Sequence, residues 1–277
     1  VKLKEMIQQS KLLIFDLDGT LYEDTEHFDY YCKLLQKKVD PEIADEFYET
    51  YEKMKEGIHP VKIGKVYDLQ NDAAITIEPL TMQITAVHNW DGSEWTREKR
   101  EKEYGETISF DLKRMIAIGD GWWLPFVTAV HYGLTEQDTW EAYNLTKEYM
   151  VSDQFSLTKT PGLKEALTRL KEEKIIAVLT NSEHEDVMRL LRELGLEGLF
   201  HEVVTSALKP VKTKERFTYL LEKYKVKPEE AVSIGDNILN EIAPALLSGM
   251  KAIYIQPNGF ETEHENLTVV PTLANAF

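Results

Sequence analysis

The sequence predicts an α/β protein: a parallel sheet with helices on both faces, interrupted by a large, mainly helical insertion. Three observations carry this. An apolar run, Leu12 to Phe15, stands near the start. From about residue 160 to residue 255, short apolar runs alternate with amphipathic stretches of helical period. Such alternation is the pattern of a parallel sheet with crossover helices. Between the two, residues 22 to 155 are mostly helical in period, which sets the boundaries at 1–21 with 156–277 for the sheet and 22–155 for the insertion.

Leu12 to Phe15 suit a strand buried on both faces. The run stops at Asp16, Leu17, Asp18, Gly19 and Thr20. Carboxylates two apart on a strand point the same way, and Gly19 permits a turn where a side chain would clash. In open α/β sheets, ligands bind at the carboxyl ends of the strands. The bland alternative is a polar turn or the opening of a calcium loop, but Glu23 to Glu26 do not give the ligand register of such a loop.

In the insertion, Phe28, Tyr31, Cys32, Leu35 and Val39 form one helical stripe. Asp40 as cap and Pro41 as first residue open a second helix carrying Ile43, Phe47, Tyr51 and Met54. Ala73 to Ile77 and Met82 to Val87 read as strands, Glu94 to Tyr104 as an exposed charged helix, and Thr135 to Met150 as another helix. Trp122 and Trp123 read as packing, and Lys62 and Lys65 as solvated, in preference to substrate contacts; His88 and His131 read as structural or exposed.

The alternation then begins. Thr160 and Pro161 read as cap and first residue of a helix with Leu163, Ala166, Leu167 and Leu170 inward. Strands follow at Ile175 to Leu179, Glu202 to Val204, Ala231 to Ile234 and Lys251 to Ile255. Between them lie helices at His184 to Leu194, at Thr213 to Tyr224, and from Asn237 to about Ser248, with Pro244 near the first turn of the last. Three strands end in polar groups: Asp16 and Asp18; Thr180, Asn181 and Ser182; and Asp236, with Glu241 beyond. Ser182 reads equally as pocket lining or as the cap of the next helix. If these strands are adjacent and parallel, the acids gather at one edge. Clustered carboxylates repel unless a divalent ion neutralises them, and an all-oxygen donor set points to magnesium.

The chain resembles the haloacid dehalogenase-like superfamily. The matching motifs are DLDGT at 16 to 20, the apolar strand ending in Thr180, a lysine ahead of the helix near 213, and GDN at 235 to 237 with Glu241. The resemblance implies a Rossmann-like core with an inserted cap domain that chooses the substrate. It implies a magnesium-dependent phosphatase acting on a small phosphorylated metabolite. Asp16 would be the nucleophile and Asp18 the acid and base. Thr180 and the lysine would bind phosphoryl oxygens, with Asn181, Gly19, Thr20 and Tyr22 against substrate. Magnesium would sit on Asp16, the Asp18 carbonyl and Asp236, with Glu241 nearby where the family often has Asp. Lys209 precedes Pro210, as in the usual Lys-Pro pair, while counting back from Phe217 points to Lys212. Dehalogenases lack an acid at the Asp18 position. A phosphomutase and a non-catalytic binding protein remain as alternatives.

A net charge of −16 argues against a general nucleic-acid or anionic-membrane surface. A single cysteine, Cys32, excludes an intrachain disulfide and fits a reducing cytoplasm. The first fifteen residues lack the apolar core of a signal peptide, and no run approaches a membrane span. Oligomeric state leaves no mark on the sequence.

Overall fold

Four consecutive apolar residues make β1, Leu12–Phe15, and each is at most 1 % exposed. Burial on this scale stabilises by about 1.5–3 kcal/mol per side chain. The computed structural model describes residues 2–111 and 113–277. It places a short helix that the sequence did not announce, α1, Lys2–Gln8, ahead of β1. The chain divides into two units: Val1–Asp24 with Leu157–Phe277, the core unit, and Thr25–Ser156, the inserted unit.

The inserted unit opens with α2, Glu26–Gln36, which buries Tyr31, Cys32 and Leu35 as the stripe predicts. Next, α3 spans Ala44–Lys55, three residues later than the Pro41 start expected. The reason is local: Asp40 Oδ1 accepts from the Glu42 amide at 2.9 Å, closing a turn before the helix can begin. A small sheet follows, built from β2, Val66–Asp68, β3, Ala73–Ile77, and β4, Ile84–Asn89. The second predicted strand starts two residues late because Met82 adopts a positive φ of 60°. Thr96 caps α4, Arg97–Tyr104, by accepting from the Lys99 amide. Then come β5, Met115–Ala117, α5, Trp123–His131, and α6, Glu136–Val151, the last opened by a Thr135/Asp138 capping box. The strands form an antiparallel sheet in the order β4-β3-β2-β5. Helices supply most of the regular structure, and the sheet fills the region where periodicity was weakest. Helix α2 packs on α5 and α6, and α3 on α5, around Phe47, Tyr51, Met54, Tyr67 and Val127. Trp122 packs edge-on against Phe28 and Tyr143, which bears out its reading as packing.

The core resumes with α7, Leu163–Glu173, entered through Gly162 at φ 74°. Pro161 therefore lies in a turn, not at the first helical position. In order come β6, Ile175–Leu179, α8, His184–Glu193, β7, Glu202–Val204, α9, Thr213–Tyr224, and β8, Ala231–Gly235. A π-helical turn, Ile238–Ile242, runs into α10, Ala243–Leu247, with Pro244 in the first turn of α10. The unit ends with β9, Lys251–Ile255, and β10, Leu267–Val270. All pairings are parallel, in the order β10-β9-β8-β1-β6-β7. Thus β1 is central, with β8 and β6 on its two sides.

One buried acid ties the inserted sheet to its neighbours. Asp68, at the end of β2, is 0 % exposed. Arg114 grips it with two bonds of 2.8 and 2.7 Å, and the Tyr104 hydroxyl donates at 2.6 Å. Burial pushes its carboxyl up, but the Arg114 and Tyr104 donors outweigh burial and hold it below the ordinary value. A depressed pKa means stability present above the unfolded value, about 3.9, and lost as pH falls through the folded value. Asp68→Ala should therefore cost the inserted unit about 2 kcal/mol at neutral pH, with the deficit shrinking below about pH 4. Hydrogen exchange of the β2 and β5 amides, followed across pH, reads both effects; a pH-independent deficit would contradict this account.

Candidate active site

Because β8, β1 and β6 are adjacent and parallel, Asp236, Asp16 and Thr180 leave the sheet side by side. The first residue beyond β1 and beyond β6 stays in the ladder: the Asp16 amide donates to Ile234 O at 2.9 Å and the Thr180 amide to Val204 O at 3.0 Å. After Asp16 the chain turns tightly, with the Leu21 amide donating to Leu17 O at 2.9 Å. Gly19 sits at φ 78°, and a Cβ there would overlap the Asp236 carboxylate. Glycine is required for the turn and for that close approach alike.

Lys209 lies at the centre of the cluster, its side chain 2 % exposed. Its Nζ donates to Asp16 Oδ1 at 2.9 Å, to Glu241 Oε2 at 3.1 Å and to the Leu179 carbonyl at 2.8 Å. Three bonds satisfy all three ammonium donors. Asn181 holds the lysine backbone from both directions: its Oδ1 accepts from the Lys209 amide at 2.7 Å, and its Nδ2 donates to the Lys209 carbonyl at 3.0 Å. Glu241, 2 % exposed, accepts from the Asn237 amide through Oε1 at 3.0 Å. Both of its oxygens are therefore engaged by protein donors.

Asp18 is held differently. Ser182 Oγ donates to its Oδ2 at 2.8 Å, and the Tyr22 hydroxyl donates to its Oδ1. Ser182 is in turn fixed by its amide on Thr180 Oγ1, at 3.1 Å. Helix α8 takes Glu183, not Ser182, as its N-cap residue, so the serine side chain serves Asp18 and not the helix.

Electrostatics follow from burial. Burial pushes the Asp16 carboxyl up, Lys209 pulls it down, and Asp18 adds repulsion; the net shift is upward. Burial likewise pushes the Glu241 carboxyl up, and Lys209 opposes it. Burial disfavours the charged lysine, but Asp16 and Glu241 outweigh that and raise its pKa. The Tyr22 hydroxyl is pushed well up by burial and by the Asp18 charge. Asp16, Asp236 and Glu241 bring carboxylate oxygens within 4.8 Å of one another, and a single buried ammonium faces them. Three carboxylates against one cation leave uncompensated negative charge, and the hard oxygen set fits magnesium. Glu241 already serves two donors.

A family model for the haloacid dehalogenase-like hydrolases matches residues 10–249. The chain belongs to this family. A glyceraldehyde 3-phosphate phosphatase from Pyrococcus furiosus is 30 % identical over 103 residues, covering 36 % of this chain and 43 % of that one. Haloacid dehalogenase-like hydrolase domain-containing protein 3 from Xenopus laevis is 30 % identical over 143 residues, covering 49 % and 57 %. The chain thus matches about half the length of these curated relatives. Among solved structures, a haloacid dehalogenase-like family hydrolase from Xanthomonas campestris aligns over 95 % of this chain and 91 % of its own, at 17 % identity and TM-score 0.47.

In this haloacid dehalogenase-like chain the lysine ambiguity has a geometric answer. Lys209 reaches Asp16, whereas Lys212 is 42 % exposed and pairs with Glu215 at 3.6 Å, outside the cluster. Lys212 sits at the N-cap of α9, and its side chain follows the helix surface. Thr180 is buried beside the cluster at 1 % exposure. Thr20 is 0 % exposed, and its Oγ1 has no hydrogen-bond partner among the described residues. Tyr22, expected against substrate, is instead 1 % exposed with its hydroxyl on Asp18. Sequence reasoning missed the Ser182 and Tyr22 bonds to Asp18 and the grip of Asn181 on Lys209. The only signal was the proximity of these residues to the motifs.

Removing the lysine charge leaves two buried carboxylates without a counter-ion. Lys209→Met should therefore destabilise the core unit by about 3 kcal/mol, and Lys212→Met by less than about 0.5 kcal/mol. Hydrogen exchange of the β1 and β8 amides measures both, and comparable losses in the two variants would refute the assignment.

Proposed function

We propose that this chain is a magnesium-dependent phosphatase that hydrolyses small phosphate monoesters through an aspartyl-phosphate on Asp16. The observation that carries the reading is an acid, Asp18, two residues beyond an Asp16 already bonded to Lys209. Halide leaving groups need no proton, whereas an alkoxide does, so Asp18 favours phosphoryl transfer over dehalogenation.

The chemistry runs in two halves. Asp16 attacks phosphorus; the bond from phosphorus to the ester oxygen breaks as the Asp18 carboxyl hydrogen passes to that oxygen. Water then attacks phosphorus, giving its proton to Asp18, and the bond to Asp16 breaks. Lys209 compensates charge on Asp16, and Thr180 stands at the strand end beside it. Asp16, the Asp18 carbonyl and Asp236 would hold magnesium, which when bound supplies charge neutralisation for the transferring phosphoryl group. Glu241 holds Lys209 and the Asn237 amide. In this reading the inserted unit serves as the cap that selects the ester. The Pyrococcus furiosus relative puts three-carbon sugar phosphates among the first esters to screen.

Hydrolysis of p-nitrophenyl phosphate and a panel of sugar phosphates tests this directly. We expect magnesium-dependent release of inorganic phosphate, abolished by chelation and lowered at least about 10³-fold by Asp16→Asn, with the variant still folded by circular dichroism. Turnover retained in Asp16→Asn would overturn the mechanism. Isomerised ester in place of free phosphate would point to mutase chemistry.

A further inference from the structure

We infer that Tyr22 and Ser182 are positioning residues that hold the Asp18 carboxylate in one orientation, one hydroxyl on each oxygen, for proton transfer to the leaving group. The catalytic part of this rests on the phosphatase reading above; the orientation does not.

The two hydroxyls come from separate segments, and each segment is anchored before it reaches Asp18. Tyr22 lies four residues on, and a bridge between the Asp18 and Tyr22 backbones turns the chain back so that the tyrosine ring returns to its own loop. The ring is 1 % exposed, which leaves the hydroxyl little freedom. Ser182 comes from the turn that follows β6. Its amide donates to Thr180 Oγ1 at 3.1 Å, and its carbonyl accepts from the Ser206 amide at 2.9 Å. Its hydroxyl then reaches Asp18 Oδ2 at 2.8 Å. A carboxylate on a two-torsion side chain, left alone, samples several rotamers. Two donors from rigid neighbours reduce these to one, which is what an acid needs in order to meet a leaving oxygen within hydrogen-bond reach. A serine hydroxyl also both donates and accepts, so the contact survives whichever form Asp18 takes.

A residue that only supports the fold would affect all substrates alike, whereas a residue that aims an acid matters most when the leaving oxygen is strongly basic. The test compares kcat/KM for p-nitrophenyl phosphate, whose phenolate leaves without a proton, with that for glycerol phosphate, whose alkoxide does not. It uses Tyr22→Phe, Ser182→Ala and the double variant. In the double variant the aryl-to-alkyl ratio of kcat/KM should rise at least about tenfold, and Ser182→Thr, which keeps the hydroxyl, should restore most of the Ser182→Ala loss. Equal falls on both esters would overturn the inference. A crystal structure of the double variant decides orientation without any turnover: the Asp18 carboxylate should occupy more than one position, and a single unmoved position would also overturn it. A wild-type chain that hydrolyses neither ester would sink the phosphatase reading, and the crystallographic comparison would still judge the positioning.

Discussion

The site depends on one buried ammonium. Lys209 reaches Asp16 after β1, the Leu179 carbonyl at the end of β6 and Glu241 in the turn after β8, so one side chain joins three adjacent strands at their carboxyl ends. The arrangement is costly in isolation, because an ion removed from water loses several kcal/mol of hydration. It persists because every donor on the ammonium is used and because the surrounding carboxylates need a positive charge. The loop carrying the lysine is shaped to the same end: Asn181 grips its backbone at both polar atoms. Lys209, Asp16 and the sheet edge are therefore one unit, and none can move without the others.

The exchange of the family's usual Asp for Glu241 is absorbed within this unit. One extra methylene lets the carboxylate span from the Asn237 amide to Lys209, while Gly235 has no side chain to collide with it; a Cβ there would overlap the glutamate. The longer acid is thus spent on holding the lysine and the π-helical turn.

The parallel core was legible because its information is local. Uninterrupted apolar runs such as Leu12–Phe15 and Ile175–Leu179 are too short for helices and suit buried strands, and polar residues end them. Element starts were less legible, since a turn closed by Asp40 or a left-handed Gly162 delays a helix without altering its apolar period. The inserted sheet was partly hidden because β2 and β5 are three residues each, too short to show alternation. Within the site, the motifs located Asp16, Asp18, Thr180 and Asp236, but not the bonds between them. Whether Lys209 or Lys212 reaches Asp16, and whether Ser182 caps a helix or holds Asp18, are questions of direction in space. No spacing along the chain encodes an answer.

The central place of β1 also bears on how the molecule comes to exist. Leu12 is synthesised before the insertion, yet its hydrogen-bonding neighbours, Ile175 and Ala231, emerge only after the whole insertion has been made. The strand that carries Asp16 must wait, apolar and unpaired, until the insertion is complete. Closing such a long loop is slow and entropically unfavourable if the intervening chain is loose. An insertion that has already folded on the ribosome shortens the effective tether and shields the nascent chain from aggregation during the wait. The residues that flank Thr25–Ser156 meet directly, Asp24 accepting from the Thr158 amide at 3.0 Å, so a folded insertion leaves the two halves of the sheet joined by a short path.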